Sequence, residues 1–577
     1  MRKVILLFAL PLLATTYYVD KDGVHGTKGN DNYSGRSWQE PWATIAKAAS
    51  TLTAGDSVII ARAVYRERIR PQNSGTSDNP IVYYGETGAV IAGSVPIDES
   101  KFVKVPGYTN LYAIHFPDFQ IKGVVQLAGN DSIILRPYFD IAKSLEEVDD
   151  TAGSFLQRND TVYIHTVDHQ KPDSARHDLE FIRETFGIDL RGKSNLIFRG
   201  FTIRSQSDLG SAGFSIYLDN CRNLKFIGDT VIGGVIRGRL NSNILIDSFS
   251  VNRIWRISSP FGYGMLPHGM SGISFLSTDT LIIRNGEIWW QTDVANIDGD
   301  CDSVVIAESK WWGCPNHGVK ITGSQSGPRP NNIIFHRCEA GAECQEAVYI
   351  YYADSILIEN CDFNVVRQFY LESSGHSRAI RMVNTIITEK FWIAQSSINE
   401  YRTDYNCIYD PSHPNRFIEV GTTYYTLSEW QNLSGNDYHS LNQDPLVVRW
   451  GKGPGHPDSD FYLTKNSPCI DAGDPSYQPP PGGGPRIDIG AYEYTGPGIS
   501  VLSGDTQTTY RVAFINPAYL PKFPNAESVA ILDPSGRKIR QIKLGSSERV
   551  TIPPLPTGIY FYRYEPIGVA GKFIVLR

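Results

Sequence analysis

Eight segments decide how this chain folds: NLIFRGFTI (195–203), NLKFIGDTV (223–231), NILIDSFSV (243–251), TLIIRNGEI (280–288), SVVIAESKW (303–311), NIIFHRCEA (332–340), SILIENCDF (355–363) and AIRMVNTII (379–387). All but the last open on a polar residue, and apolar positions then alternate, the period of a β-strand. They recur at spacings of 28, 20, 37, 23, 29, 23 and 24 residues. A repeat near 23 residues with strand alternation fits one coil of a parallel β-helix. Each coil then holds two or three short strands, and each inward residue stacks on its equivalent about 4.8 Å away. A leucine-rich repeat keeps a fixed Leu framework, and propeller blades repeat at roughly 40 residues or more. The fold class is therefore all-β, a right-handed parallel β-helix (a single-stranded solenoid) with core coils at about 190–395. The two longest inserted coils carry the loops PFGYGMLPHGMSG (260–272) and GSQSGPRPNN (323–332). Insertions of this kind wall a groove.

The flanks extend this frame. PWATIAKAASTL (41–52) puts Ile45, Ala48, Ala49 and Leu52 on one helical face. A helix there would cover the apolar end and unpaired edges of a solenoid. AGDSVIIARAVYRERI (54–69) reads as strand, turn and strand, and 17–100 as the cap and first coils. Residues 101–190 follow no period, and after about 395 the repeat fades. NSPCIDAGDP (466–475) and RIDIGAYEY (486–494) flank QPPPGGGP (478–485), a Pro/Gly hinge. The segments SVAILDPSG, RKIRQIKL, GIYFYRYE and GKFIVLR within 500–577 alternate as a small C-terminal β-sandwich would. The expected organisation is a signal peptide at 1–16, the capped β-helix at 17–495 and the sandwich at 500–577.

Composition narrows the function classes. Charged residues make up 20% and hydrophobic ones 41%, a globular balance, and 52 Gly, 34 Pro and 31 Tyr suit turns and strands. The formal net charge of −7, without a basic tail, points away from nucleic acid. Arg2 and Lys3 precede an apolar run of 11 residues at 4–14, the pattern of an export signal and too short to span a bilayer. The mature protein is expected to be secreted or held at the cell surface. Eight cysteines in an exported chain are available for disulfides, and there is no C-x-x-C pair. Cys338 and Cys361 occupy equivalent repeat positions, as stacked interior residues would.

A second strand precedes the repeated motif in each coil. Aligned on inward residues, these strands are GFSIY (213–217), GISFL (272–276), VANID (294–298), GVKIT (318–322), AVYIY (347–351) and QFYLE (368–372). Alternation turns the third and fifth residues outward. The third positions read Ser215, Ser274, Asn296, Lys320, Tyr349 and Tyr370; the fifth read Tyr217, Leu276, Asp298, Thr322, Tyr351 and Glu372. Asp293, His317, Glu346 and Arg367 stand just before their strands. Tyr offers flat apolar area with a hydroxyl, which suits a sugar ring. Asn296, Tyr349, Tyr351, Tyr370, Glu372 and Arg367 are the candidate substrate-binding residues.

Acids, a lysine and a histidine on neighbouring rungs suggest chemistry on a polysaccharide. β-Elimination of a uronic-acid polymer needs a base and a cation to neutralise the carboxylate. Lys320 is the candidate base, and His317 binds substrate or acts as acid. Asp293, Asp298, Asp300 and Glu346 are candidate oxygen ligands for Ca²⁺. Glycoside hydrolysis would instead pair Asp298 with Asp300, Asp293 or Glu346. Lys320, His317 and Asp298 are thus the candidate catalytic residues. A third reading, from a different class, is a non-catalytic surface adhesin whose Tyr face binds glycan.

A resemblance adds to this. YYVDKDGVHGTKGNDNYSG with PWATIAKAASTLTAGDSVIIARAVYRERI and NSGTSDNPIVYYGE resembles the N-terminal cap of right-handed β-helix proteins of the pectate-lyase-like superfamily. The likeness is strongest to those related to family 9 and family 6 polysaccharide lyases. NSPCIDAGDP with RIDIGAYEY resembles the closing segment of bacterial secreted β-helix proteins. INPAY, LDPSGRKI, LPTGIYFYR and GKFIVLR resemble the C-terminal sorting domain of type IX secretion substrates, which implies that secretion machinery as a partner. Family 9 membership would imply a Lys base and an aspartate-rich calcium site. This sequence departs from that pattern, because NHGVKI (316–321) stands where a paired-Asp segment is expected.

Overall fold

The computed structural model describes residues 14–577 apart from 129–130, 138–143, 209–210, 253–270, 290–292, 315, 342–343, 345, 364–367, 371–376, 389, 411–416, 450–459, 480–482, 495–511, 516–518, 522–527, 533–537, 544–548, 552–557, 566–569 and 577. Residues 1–13 of the expected signal peptide and the loop residues 260–270 lie outside the described residues; Thr16 opens the first strand and pairs with Ser57. The chain divides into two units, one of residues 1–461 with 489–491, the other of 462–488 with 492–577.

The first unit is a right-handed parallel β-helix built on three sheets. The second residues of the repeated motif stack in one register: Leu196, Leu224, Ile244, Leu281, Val304, Ile333, Ile356 and Ile380. All eight are buried, and apolar burial of this kind supplies roughly 1.5–3 kcal/mol per large side chain. Two residues along the same strands, Tyr83, Phe198 and Phe226 form a parallel inward column with rings 4.7 and 5.6 Å apart and nearly parallel. The residue that opens each motif has a structural task. Asn195, Asn223, Asn243, Thr280, Ser303, Asn332, Ser355 and Ala379 all sit at φ of 54–57°. Asn tolerates this left-handed corner better than most residues. Asn243 donates to Asn223 at 2.8 Å and Asn223 to Asn195 at 2.9 Å, so the corner is also a hydrogen-bonded ladder.

Cys338 and Cys361 are interior, with the Cys338 amide donating to the Cys361 sulfur at 3.4 Å. The helix Ile45–Thr51 is capped by the Thr44 hydroxyl and buries Ile45, Ala48 and Ala49, with Leu52 beside them, in the same core as the first strands.

The stretch without a period is an insertion. Strands from Ser94–Pro96 to Leu179–Ile182 form a mainly antiparallel sheet with its own core around Phe102, Phe155 and Phe181. The solenoid ladder passes over it: Ile81 pairs with Leu196, and Val90 with Thr202. Glu180 ties the insertion to the coils through Arg66 at 2.6 Å and Arg204 at 3.1 Å. Burial opposes its charge, but these guanidiniums and Ser94 hold its carboxyl below the usual range.

In the second unit, strands Val512–Ile515, Ala570–Leu576, Gly558–Glu565, Ser528–Leu532 and Lys538–Lys543 form one sheet in that order. Val529, Ala530 and Ile531 are all fully buried, so both faces of the Ser528–Leu532 strand are covered.

Candidate functional site

The outward columns follow from the register of the third sheet. One column runs Asp189, Tyr217, Arg237, Ser274, Asn296, Lys320, Tyr349. Its neighbour runs Arg191, Asp219, Arg239, Leu276, Asp298, Thr322, Tyr351. Ala295 and Ile297, Val319 and Ile321, and Val348 and Ile350 point inward and are buried, so Asn296, Asp298, Lys320, Tyr349 and Tyr351 are outward as expected.

Two parts of the expected alignment are corrected. Ser215 is fully buried, and Tyr217 holds the position assigned to it, two residues on. A whole rung, Val235–Arg239, was also missed between the strands at 213 and 272. The 20-residue spacing from Asn223 to Asn243 was its signal, since a complete coil must hold this second strand. At the other end Glu346 pairs with Gln368, whereas the expected alignment set Ala347 against Gln368. Arg367 and Glu372 lie outside the described residues; Tyr370 pairs its backbone with Trp392.

Three strand-entry residues form one connected group. The His317 ring donates from Nδ1 to Asp293 at 2.9 Å, and its Nε2 lies 3.0 Å from Glu346. Asn316 and the His317 amide also donate to Asp293, at 2.7 and 3.2 Å. Asp293, His317 and Glu346 side chains are 4%, 15% and 8% exposed, so water screens this group little. Burial works against the Asp293 charge, but the His317 and Asn316 hydrogen bonds outweigh it and hold the carboxyl below the usual range. Glu346 has no such donors. Burial, reinforced by Asp293, pushes it up to about 7 against the pull of His317 and Lys320. The 3.0 Å contact is not aligned as a hydrogen bond, so Glu346 Oε2 is buried without a donor among the described residues.

Three residues along the strand from His317, Lys320 has no ion pair or hydrogen bond with a described residue. It lies between Asn296 and Tyr349 on the adjacent rungs. The side-chain amide oxygen of Asn296 is buried without a hydrogen-bond partner among the described residues. Tyr349 packs on His317 at 4.6 Å and lies 6.4 Å from Tyr351, nearly parallel. Asp298 accepts from the Thr322 hydroxyl, and burial raises its carboxyl pKa despite Thr322 and Lys320. The loop after Thr322 is fixed beside this face: the Gly323 amide donates to Tyr351 at 2.8 Å, and Arg329 stacks over Tyr352 at 5.2 Å.

The four carboxylates expected to hold calcium do not assemble. Asp293 is committed to His317 and Asn316, Asp298 faces Thr322 at the far end of the strand, and Asp300 is exposed in the bend beyond it. Among the described residues no group of three or more His, Cys, Asp or Glu is arranged to hold a metal ion. Sequence reasoning also left a disulfide unassigned. Cys314–Cys344, with Cα atoms 4.4 Å apart, joins the two turns that lead into His317 and Glu346. Cys221, Cys301, Cys338, Cys361 and Cys407 are buried thiols.

No protein-family model matches the chain, and no curated protein matches it. Among solved structures it is similar to a rhamnogalacturonan lyase (14% identity, 78% of this chain and 97% of that one, TM-score 0.37). It is similar also to the pectate lyase Pel9A (12% identity, 83% and 97%, TM-score 0.34). A third is a hyperthermoactive exopolygalacturonase from Thermotoga maritima (9% identity, 64% and 85%, TM-score 0.32). Likenesses this distant say nothing of the reaction. Among the described residues no helix is long and apolar enough to cross a membrane.

Proposed function

We propose that this protein acts outside the cell on an acidic polysaccharide laid along the face of Lys320, and cleaves it by β-elimination. One observation carries the reading: an ammonium without an ion-pair partner among the described residues shares a strand with the buried His317–Glu346 contact. Lys320, in its amine form, takes the proton α to a uronate carboxylate. The electron pair enters a new carbon–carbon double bond, and the glycosidic bond at the β carbon breaks. The leaving oxygen takes its proton from Glu346, whose carboxyl is pushed up to about 7 by burial. Asn296 and the Tyr349–Tyr351 face hold the sugar rings. The described carboxylates do not fit a calcium site, so no step is routed through one. The second unit is assigned to type IX export and surface attachment, on the resemblance of its strands.

Hydrolysis is the second reading, favoured by the split between Asp293, held ionised, and Glu346, pushed up to about 7. The deciding experiment incubates the protein with pectate, alginate, a glycosaminoglycan and neutral glycans, with calcium or with chelator. Ultraviolet absorbance from unsaturated uronates, lost in Lys320→Ala, supports elimination. Reducing ends without that absorbance move the assignment to the carboxylates. Binding without any product sinks both and leaves an adhesin.

A further inference from the structure

The same columns carry a second feature, three to five rungs before Lys320. Phe186, Phe214 and Tyr217 form a mutually packed aromatic group with ring centroids 5.3–5.5 Å apart. Three guanidiniums lie on it. Arg191 sits 4.8 Å from Phe186 and 5.1 Å from Tyr217, Arg237 sits 5.6 Å from Phe214, and Arg68 sits 5.9 Å from Phe186. Arg68 and Arg191 share one acid, Asp189, at 3.9 and 3.3 Å, and Arg239 is matched by Asp219 at 2.9 Å. Arg237 is exposed and has no acidic partner among the described residues. Among the described residues, four arginines stand against two aspartates in this strip, an excess of two positive charges on a chain whose formal net charge is −7.

We propose that this strip is an anionic-glycan subsite, in which the Arg237 guanidinium binds a carboxylate or sulfate while Phe214 and Tyr217 support the sugar. The inference rests on the reading of the Lys320 face as a polysaccharide site and extends it. A guanidinium stacked on an aromatic face keeps its N–H edge free for a bidentate contact with a planar anion. Arg237, Ser274, Asn296 and Lys320 follow in one column, so Arg237 and Lys320 are about 14 Å apart along the axis. That separation suits an oligosaccharide lying parallel to the solenoid axis and exceeds one sugar. Ser274, the one residue between Arg237 and Asn296 in the column, is small.

The test is calorimetric titration of the full chain with oligogalacturonate, with dextran sulfate and with neutral dextran, using wild type, Arg237→Ala, Arg237→Lys and Lys320→Ala. Arg237 is exposed, so its variants are expected to fold; circular dichroism checks this. The expected result is binding of one anionic ligand that weakens roughly ten- to a hundredfold in Arg237→Ala, with Arg237→Lys intermediate. Preference between the first two ligands tells carboxylate from sulfate. Wild-type affinity in Arg237→Ala overturns the proposal, as does an equal loss for neutral dextran or no anionic binding by the wild type. If Lys320→Ala keeps this binding and no glycan is ever cleaved, the enzymatic reading fails and the subsite stands. If cleavage depends on Lys320 while Arg237→Ala binds oligogalacturonate normally, the subsite alone fails.

Discussion

Replacing Glu346 by Gln tests the electrostatics of the site directly. Burial raises the Glu346 carboxyl from 4.5 to about 7. At 1.36 kcal/mol per pH unit that rise corresponds to about 3 kcal/mol. The side chain is only 8% exposed, so solvent screening does not reduce the figure much. The sign follows from proton counting. Between about 4.5 and 7 the folded state holds this proton more tightly than the unfolded chain, so stability falls as pH rises through that window. Gln keeps the shape and carries no charge at any pH. Glu346→Gln is therefore expected to match the wild type near pH 4.5 and to exceed it by about 3 kcal/mol above pH 7. Urea unfolding followed by tryptophan fluorescence at a series of pH values gives the difference from the midpoints at constant m. Groups remote from Glu346 titrate alike in both proteins and cancel, whereas His317, Asp293 and Lys320 feel its charge and belong to the measured difference. Curves that stay parallel from pH 5 to 8 would refute the assigned burial cost. A Gln variant less stable at pH 8 would mean that attraction to a protonated His317 outweighs desolvation, as happens in some buried pairs.

Other outcomes follow from the same geometry. Cys314 and Cys344 are 30 residues apart, so Cys344→Ser is expected to lower stability by about 3–4 kcal/mol on loop entropy, read as a fall in Tm that reducing agent reproduces in the wild type. Lys320→Ala is expected to lower kcat by roughly 10²–10⁴ without changing Tm, since the ammonium holds no described partner; a kcat within a factor of a few of wild type removes Lys320 from the chemistry. Glu180→Ala leaves Arg66 and Arg204 facing each other's charge at a partly buried point and is expected to cost about 3 kcal/mol, with faster protease cleavage in the 94–182 insertion. Because the Glu180 pKa is depressed, the stability it supplies is present above its unfolded value and is lost as pH falls through the folded one; a Glu180→Gln variant should lack that acid limb.

Much of the fold was legible because a solenoid writes itself as a period. Alternation identifies inward and outward residues on each strand, and the eight motifs share one register because each coil must stack on the last. The insertion hid from the same reading. Its strands pair with one another and with no coil, so 94–182 carries no repeat, and the ladder from Ile81 to Leu196 spans a gap that no local pattern reports.

The site divides in the same way. Sequence alone determined that Asn296, Lys320 and Tyr349 face outward on successive rungs, because the period of a strand leaves no other choice once the core residues are placed. It did not determine which residues lie opposite one another where coil lengths vary. The pairing of Asp293, His317 and Glu346, the staple from Cys314 to Cys344 and the Arg237 rung depend on how many residues each turn absorbs between strands. Protonation states depend on tertiary structure more strongly still. Asp293 and Glu346 are both carboxylates at the entry of a strand, yet donors crowd one and burial isolates the other. That difference arises from desolvation and hydrogen bonds across rungs 24 and more residues apart in the chain, which only the folded coil brings within reach.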